Sequence, residues 1–177
     1  MISNLMVPTK ASNIKAYKTF YFITFFVGLI LMIFEVRLYQ KTIIPAKDVL
    51  ILIFFVSIIF FFIIKKKYKN TYQTKNSFYA FAQATASFGF IACYIFMALN
   101  FYLADSKIEV KSFSILSKHT IGSKYPQPAI EINYEGIEKQ LVFYIQQQKQ
   151  VDSSKEVLLI VKKGFFGYDI FSNISLK

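Results

Sequence analysis

The sequence predicts a membrane α plus small all-β fold: three transmembrane helices followed by a C-terminal five-stranded antiparallel sheet or partly open barrel. Three observations lead there. Apolar stretches without a charge cover residues 19–34, 49–64 and 77–104, and such runs mark helices that cross a bilayer. Beyond Asp105 the texture changes to short runs in which apolar and polar residues alternate, the period of half-buried strands. Charge is segregated too: the tail before the first stretch and the link before the third carry lysines and no acid. The expected organisation is a basic tail over 1–16, a helical membrane domain over 17–104 and a β-domain over 105–177.

The first helix is expected over 17–39. Its apolar centre is short for a hydrocarbon thickness of about 30 Å at about 1.5 Å per residue. Lys18, Glu35 and Arg37 are therefore read as snorkelling toward the headgroups, and Tyr17, Tyr21 and Tyr39 as an aromatic belt. A cleavable signal would show small residues after its apolar core. Glu35-Val36-Arg37-Leu38-Tyr39-Gln40 has none, so the stretch reads as a retained signal anchor.

Pro45 suits the first turn of the next helix, where its missing N–H costs little. That helix, 46–64, has Ser57 as the polar side chain of its apolar core, reads as lipid-facing and is expected to stop at Lys65–Lys67. The third, 77–104, begins with small and polar residues. Ala80 with Ala84, and Ala82 with Ala86, are spaced i,i+4; with Gln83 and Gly89 they permit close helix contact and a hydrogen bond across it. It is the expected packing helix of the bundle.

In the β-domain, 107–116 alternates in two phases, which predicts a bulge or bend. Segments 129–134 and 137–145 flank Glu135-Gly136, a hairpin signal. Residues 146–154 read as a polar connection, and 157–162 and 166–171 flank a second turn at Gly164. Five strands bury little core. The domain is therefore expected to rest on the membrane helices, on a copy of itself or on a partner.

A hydrophobic fraction of 55% in 177 residues places the chain among membrane proteins. Its formal charge of +11 would otherwise point to nucleic acid. Lys10, Lys15 and Lys18 supply +3 and Lys65, Lys66, Lys67, Lys69 and Lys75 supply +5, whereas ten lysines and eight acids from Asp105 onward leave +2. The excess lies beside the apolar spans, where lysine sets orientation and meets anionic headgroups. Membrane lipid is thus the expected partner of Lys65, Lys66, Lys67 and Lys69, and nucleic acid is not expected. By the positive-inside rule the N-terminus is cytoplasmic and the β-domain periplasmic or extracellular, in a multi-pass protein of the bacterial cytoplasmic (inner) membrane.

Chemistry is sparse. Cys93 is the one cysteine, so no intramolecular disulfide forms. His119, the one histidine, has no ligand or base at suitable spacing and reads as a loop residue. Glu131, Glu135 and Glu138 read as solvent-facing residues of a hairpin rather than an acid–base pair. Lys162-Lys163-Gly164-Phe165-Phe166-Gly167 contains the G-x-x-G of KH domains, where that loop joins helices; between aromatic and β-branched strands it reads as a glycine-permitted turn seated on the core or the membrane surface. Phosphate-binding, dinucleotide, zinc-protease and serine-hydrolase signatures are missing, and no cofactor or metal is expected.

The plan is similar to that of small bacterial membrane proteins in which a few helices carry a short extracytoplasmic β-domain, a likeness of architecture alone. The leading expectation is a non-enzymatic integral membrane protein that presents its β-domain for protein–protein interaction, with a protein partner or a homo-oligomer. The alternatives are an accessory subunit of a channel, transporter or respiratory complex, packing through Ala80–Gly89, and an immunity-type membrane protein.

Overall fold

The computed structural model describes residues 10–177, with side chains from residue 13. Three long apolar helices precede six strands in two antiparallel sheets. The expected class is present, with six strands rather than five.

The first helix, Lys10–Gln40, begins inside the expected tail; residues 1–9 of that tail lie outside the described residues. The second, Ala46–Tyr72, continues through Lys65–Lys67 instead of stopping there. Lysine is a good helix former, and its stem carries the ammonium away from apolar surroundings. The helix ends at Gln73, whose φ of 53° is left-handed, the usual conformation of a helix C-terminus. The Asn76 carboxamide accepts from the Phe78 N–H at 2.8 Å and opens the third helix, Phe78–Tyr102. One π-helical turn interrupts it at Thr85–Gly89. All three are long and apolar enough to cross a bilayer, and the chain is a membrane protein.

The chain divides into two compact units. One holds the residues up to Glu35 with Lys47–Ile95; the other holds Val36–Ala46 with Phe96–Lys177. In the helical unit the third helix is the most buried, and the second turns Leu50, Ile51, Phe54, Phe55, Phe62 and Ile63 outward. Gly28 of the first helix lies against the Ala86 carbonyl, where any Cβ would clash. Gly89 meets Ser57 and Ile53 of the second helix in the same way. Phe60 stacks on Phe88 with ring centroids 4.1 Å apart.

In the other unit, β1 (Ile108–Ser114), β5 (Glu156–Lys163) and β6 (Asp169–Leu176) form one sheet in the order β1-β5-β6. The second sheet has β2 (Ser117–Ile121), β3 (Gln127–Tyr134) and β4 (Ile137–Val142) in the order β2-β3-β4. The phase switch near Phe113 is not a bulge: the chain leaves the first sheet, and the Leu116 N–H donates to the Glu131 carbonyl at 2.8 Å. Glu135 and Gly136, both at positive φ (50° and 89°), make the two-residue turn between β3 and β4, the primed geometry that matches strand twist.

Ile130, Ile132 and Leu141 from one sheet meet Val157, Leu159, Val161 and Phe171 from the other. The expected polar connection is a short helix, Gln148–Ser153, that inserts Val151 into this core. Residues between the first two helices complete the domain. Thr42 pairs with Ile170, the Ile43 N–H donates to the Asp169 carbonyl at 2.7 Å, and the Phe171 N–H donates to the Lys41 carbonyl at 3.1 Å. That segment covers the β6 edge; no strand pairs with the outer edge of β1 among the described residues.

Candidate functional site

Lys65, Lys66, Lys67 and Lys69 occupy the last turns of the second helix, beside a tyrosine cluster. Tyr21 packs edge-on against Tyr68 at 5.1 Å, Tyr68 lies 4.6 Å from Tyr72, and the Lys67 ammonium sits 4.0 Å above the Tyr17 ring. Lys66 and Lys67 remain exposed.

Ala80, Gln83, Ala84 and Gly89 are buried within the bundle, whereas Ala82 and Ala86 are half-buried. The Gln83 carboxamide donates to the Tyr21 carbonyl and to Ser87 Oγ, both at 2.8 Å, and Ser87 Oγ donates to Thr24 Oγ1 at 3.3 Å. The π turn carries Ser87 into this seam. Small residues and the carboxamide are therefore spent on packing inside one chain. Glu35 does not snorkel: it is buried, and Cys93 Sγ donates to its Oε1 at 3.0 Å.

Two polar side chains fasten the helix ends to the β-domain within their unit. Asn100, fully buried in the third helix, holds the turn between β5 and β6. Its Nδ2 donates to the Tyr168 carbonyl at 3.1 Å, and its Oδ1 and backbone carbonyl accept from the N–H groups of Phe166 and Phe165 at 3.0 and 3.2 Å. The turn thereby satisfies a carbonyl that a helix C-terminus leaves open. Lys139 of β4 donates to the carbonyls of Tyr39 and Thr42, both at 2.8 Å, at the end of the first helix. A cation there opposes the negative end of the helix dipole, yet burial pulls the Lys139 pKa down to about 8.

An ionic cluster links the two sheets. Lys111 Nζ donates to Tyr134 Oη and to Glu135 Oε1, both at 2.9 Å, and Tyr134 Oη donates to Asp169 Oδ2 at 2.7 Å. Lys163 Nζ stands 2.7 Å from Asp169 Oδ1. These hydrogen bonds hold the Lys111 ammonium above the usual lysine range, and burial pushes Tyr134 up to about 12. The cluster borders a cleft of about 260 Å³ that brings Lys107 and Lys162 together with Asp105 and Glu109. Opposite charges neutralise one another here, an arrangement that holds strands in place and can contact a charged group of a partner.

On the face of the first sheet away from the core, Val110 lies opposite Ile160, and Ser112 opposite Leu158. Ile108 and Val110 are 55% and 65% exposed. They form an apolar strip with the half-exposed Leu158 and Ile160. No known family, curated protein or solved structure matches this chain. The geometry alone carries the functional argument.

The other singled-out residues do not converge. His119 lies inside β2, not in a loop, and its Nε2 meets the Gln140 carboxamide. Glu131 accepts from Ser117 Oγ at 2.7 Å, Glu135 pairs with Lys111, and Glu138 is exposed. Among the described residues no three metal-ligating side chains cluster. Sequence reasoning missed Asn100 and Lys139 as fastening residues. Their signals were a carboxamide near the end of an apolar span and a lysine in phase with Ile137 and Leu141.

Proposed function

We propose that the protein is a non-enzymatic, multi-pass protein of the cytoplasmic membrane that offers its β-domain to a protein partner on the outer face. The observation that carries this reading is the apolar strip of Ile108, Val110, Leu158 and Ile160 beside the unpaired edge of β1. Exposed apolar faces bordered by charge serve protein contact, and Lys162, opposite Ile108 on the same face, supplies a charge at the end of the strip. Three crossings put the chain ends on opposite sides of the bilayer, and the acid-free lysine segments favour a cytoplasmic N-terminus.

The test has two parts. Reporter fusions after Lys177 and within 65–75 should be active outside and inside the cell, respectively; an inside-active reporter at Lys177 refutes the orientation. A photo-crosslinking side chain at Val110 should yield a discrete adduct in cells, absent when it is placed at the exposed Lys118. Equal or no adducts at the two positions refute the strip as the contact surface.

A further inference from the structure

The turn between β5 and β6 exposes two phenylalanines at a height the structure defines. Phe165 and Phe166 are 59% and 44% exposed, an unusual presentation for adjacent aromatic side chains on a domain in water. Asn100 binds the N–H groups of both residues, and the Phe166 ring stacks on Phe96 with centroids 4.8 Å apart and planes 18° from parallel. Phe96 and Asn100 belong to the third membrane helix, which has 25 residues. A hydrocarbon layer of about 30 Å takes up about 20 of them. Centring the helix puts Asn100 at the boundary of that layer and Phe96 about one helical turn inside it.

Gly164 permits this approach, since a Cβ there would strike both the Asn100 side chain and the Tyr168 carbonyl. Gly167, at φ +86°, completes the turn. Tyr102, 70% exposed at the last position of the same helix, lies at the level where aromatic side chains favour the bilayer interface.

We infer that the Gly164–Gly167 turn is an interfacial membrane anchor, with Phe165 and Phe166 inserted at the boundary between lipid headgroups and acyl chains. The occupant of this surface is the lipid of the membrane the helices cross. The turn thus fastens the β-domain to the bilayer at a point far along the chain from the spans. The inference rests on the membrane assignment and is independent of the proposed protein partner.

The chain has no tryptophan, so a substituted one is a single reporter. Phe165→Trp, Tyr102→Trp and Tyr125→Trp are compared in the full-length protein, reconstituted alone in phosphatidylethanolamine–phosphatidylglycerol vesicles with acyl chains brominated near the headgroup. Tyr125 is 76% exposed in the loop between β2 and β3 and serves as the water-exposed control. The expected result is a blue-shifted Phe165→Trp emission that bromolipid quenches as strongly as that of Tyr102→Trp, with Tyr125→Trp red-shifted and unquenched. Emission at position 165 that matches the Tyr125→Trp control overturns the inference. Blue-shifted emission that bromolipid does not quench also overturns it, because the side chain is then covered by a second copy of the chain.

Discussion

Replacing Lys139 with methionine should alter the pH dependence of stability in a defined direction. Lys139 is 7% exposed, and its ammonium donates to two carbonyls and lies 4.5 Å from the centre of the Tyr39 ring. Those contacts favour the charge, but desolvation outweighs them and lowers the pKa from 10.5 to about 8. At about 1.4 kcal/mol per pH unit, the shift corresponds to roughly 3 kcal/mol. Between pH 8 and 10.5 the folded lysine has lost its proton while the unfolded one keeps it. The unfolded state then binds more protons, and stability rises with pH across that window. Below pH 8 both states are charged and the contribution is flat.

The informative quantity is the wild-type value minus the Lys139→Met value, in which the contributions of groups common to both proteins cancel. Urea unfolding of the full-length protein in detergent, followed by circular dichroism, supplies it. The difference should move by about 3 kcal/mol in favour of the wild type between pH 8 and 10.5. A difference that stays flat, or that falls, refutes the argument that burial dominates the lysine's surroundings.

Asn100→Leu leaves the Phe166 N–H without its side-chain acceptor, at about 1–3 kcal/mol, while the Tyr168 carbonyl keeps the Gly164 N–H; urea unfolding of the full-length chain should show the loss. Gly28→Ala drives a methyl group into the Ala86 carbonyl and should cost about 1–3 kcal/mol. Gln83→Leu removes hydrogen bonds inside the bundle, and such bonds average only about 0.6 kcal/mol in membrane proteins. Unfolding in sodium dodecyl sulfate should therefore rank Gly28→Ala as the more damaging of the pair.

The helices were legible because uncharged apolar runs have few other outcomes in a folded chain, and the Glu135-Gly136 hairpin because two residues at positive φ need that chemistry. The end of the second helix was not. A lysine run marks the limit of hydrocarbon without marking the end of helical backbone, and the helix continues to Tyr72. Strand β2 escaped because Lys118, His119 and Thr120 give its five residues little apolar alternation; the neighbouring β3 determines its place. Glu35 was read by position alone, whereas Cys93, distant in sequence, supplies the hydrogen bond that accompanies its burial. The same limit applies to the candidate surface. Strand alternation indicates which residues share a face, and only the pairing of β1 with β5 sets Val110 beside Ile160.

The short pairing of Thr42 with Ile170 has a consequence for biogenesis. One partner emerges from the ribosome soon after the first span, and the other belongs to the last strand. The first sheet thus cannot be completed until β6 has been made and both segments lie on the same side of the bilayer. Until then the 41–43 backbone lacks its partner groups on β6. Insertion of the three helices accordingly precedes closure of the domain, and a nascent chain cut short before β6 leaves the first extramembrane link without its strand partner.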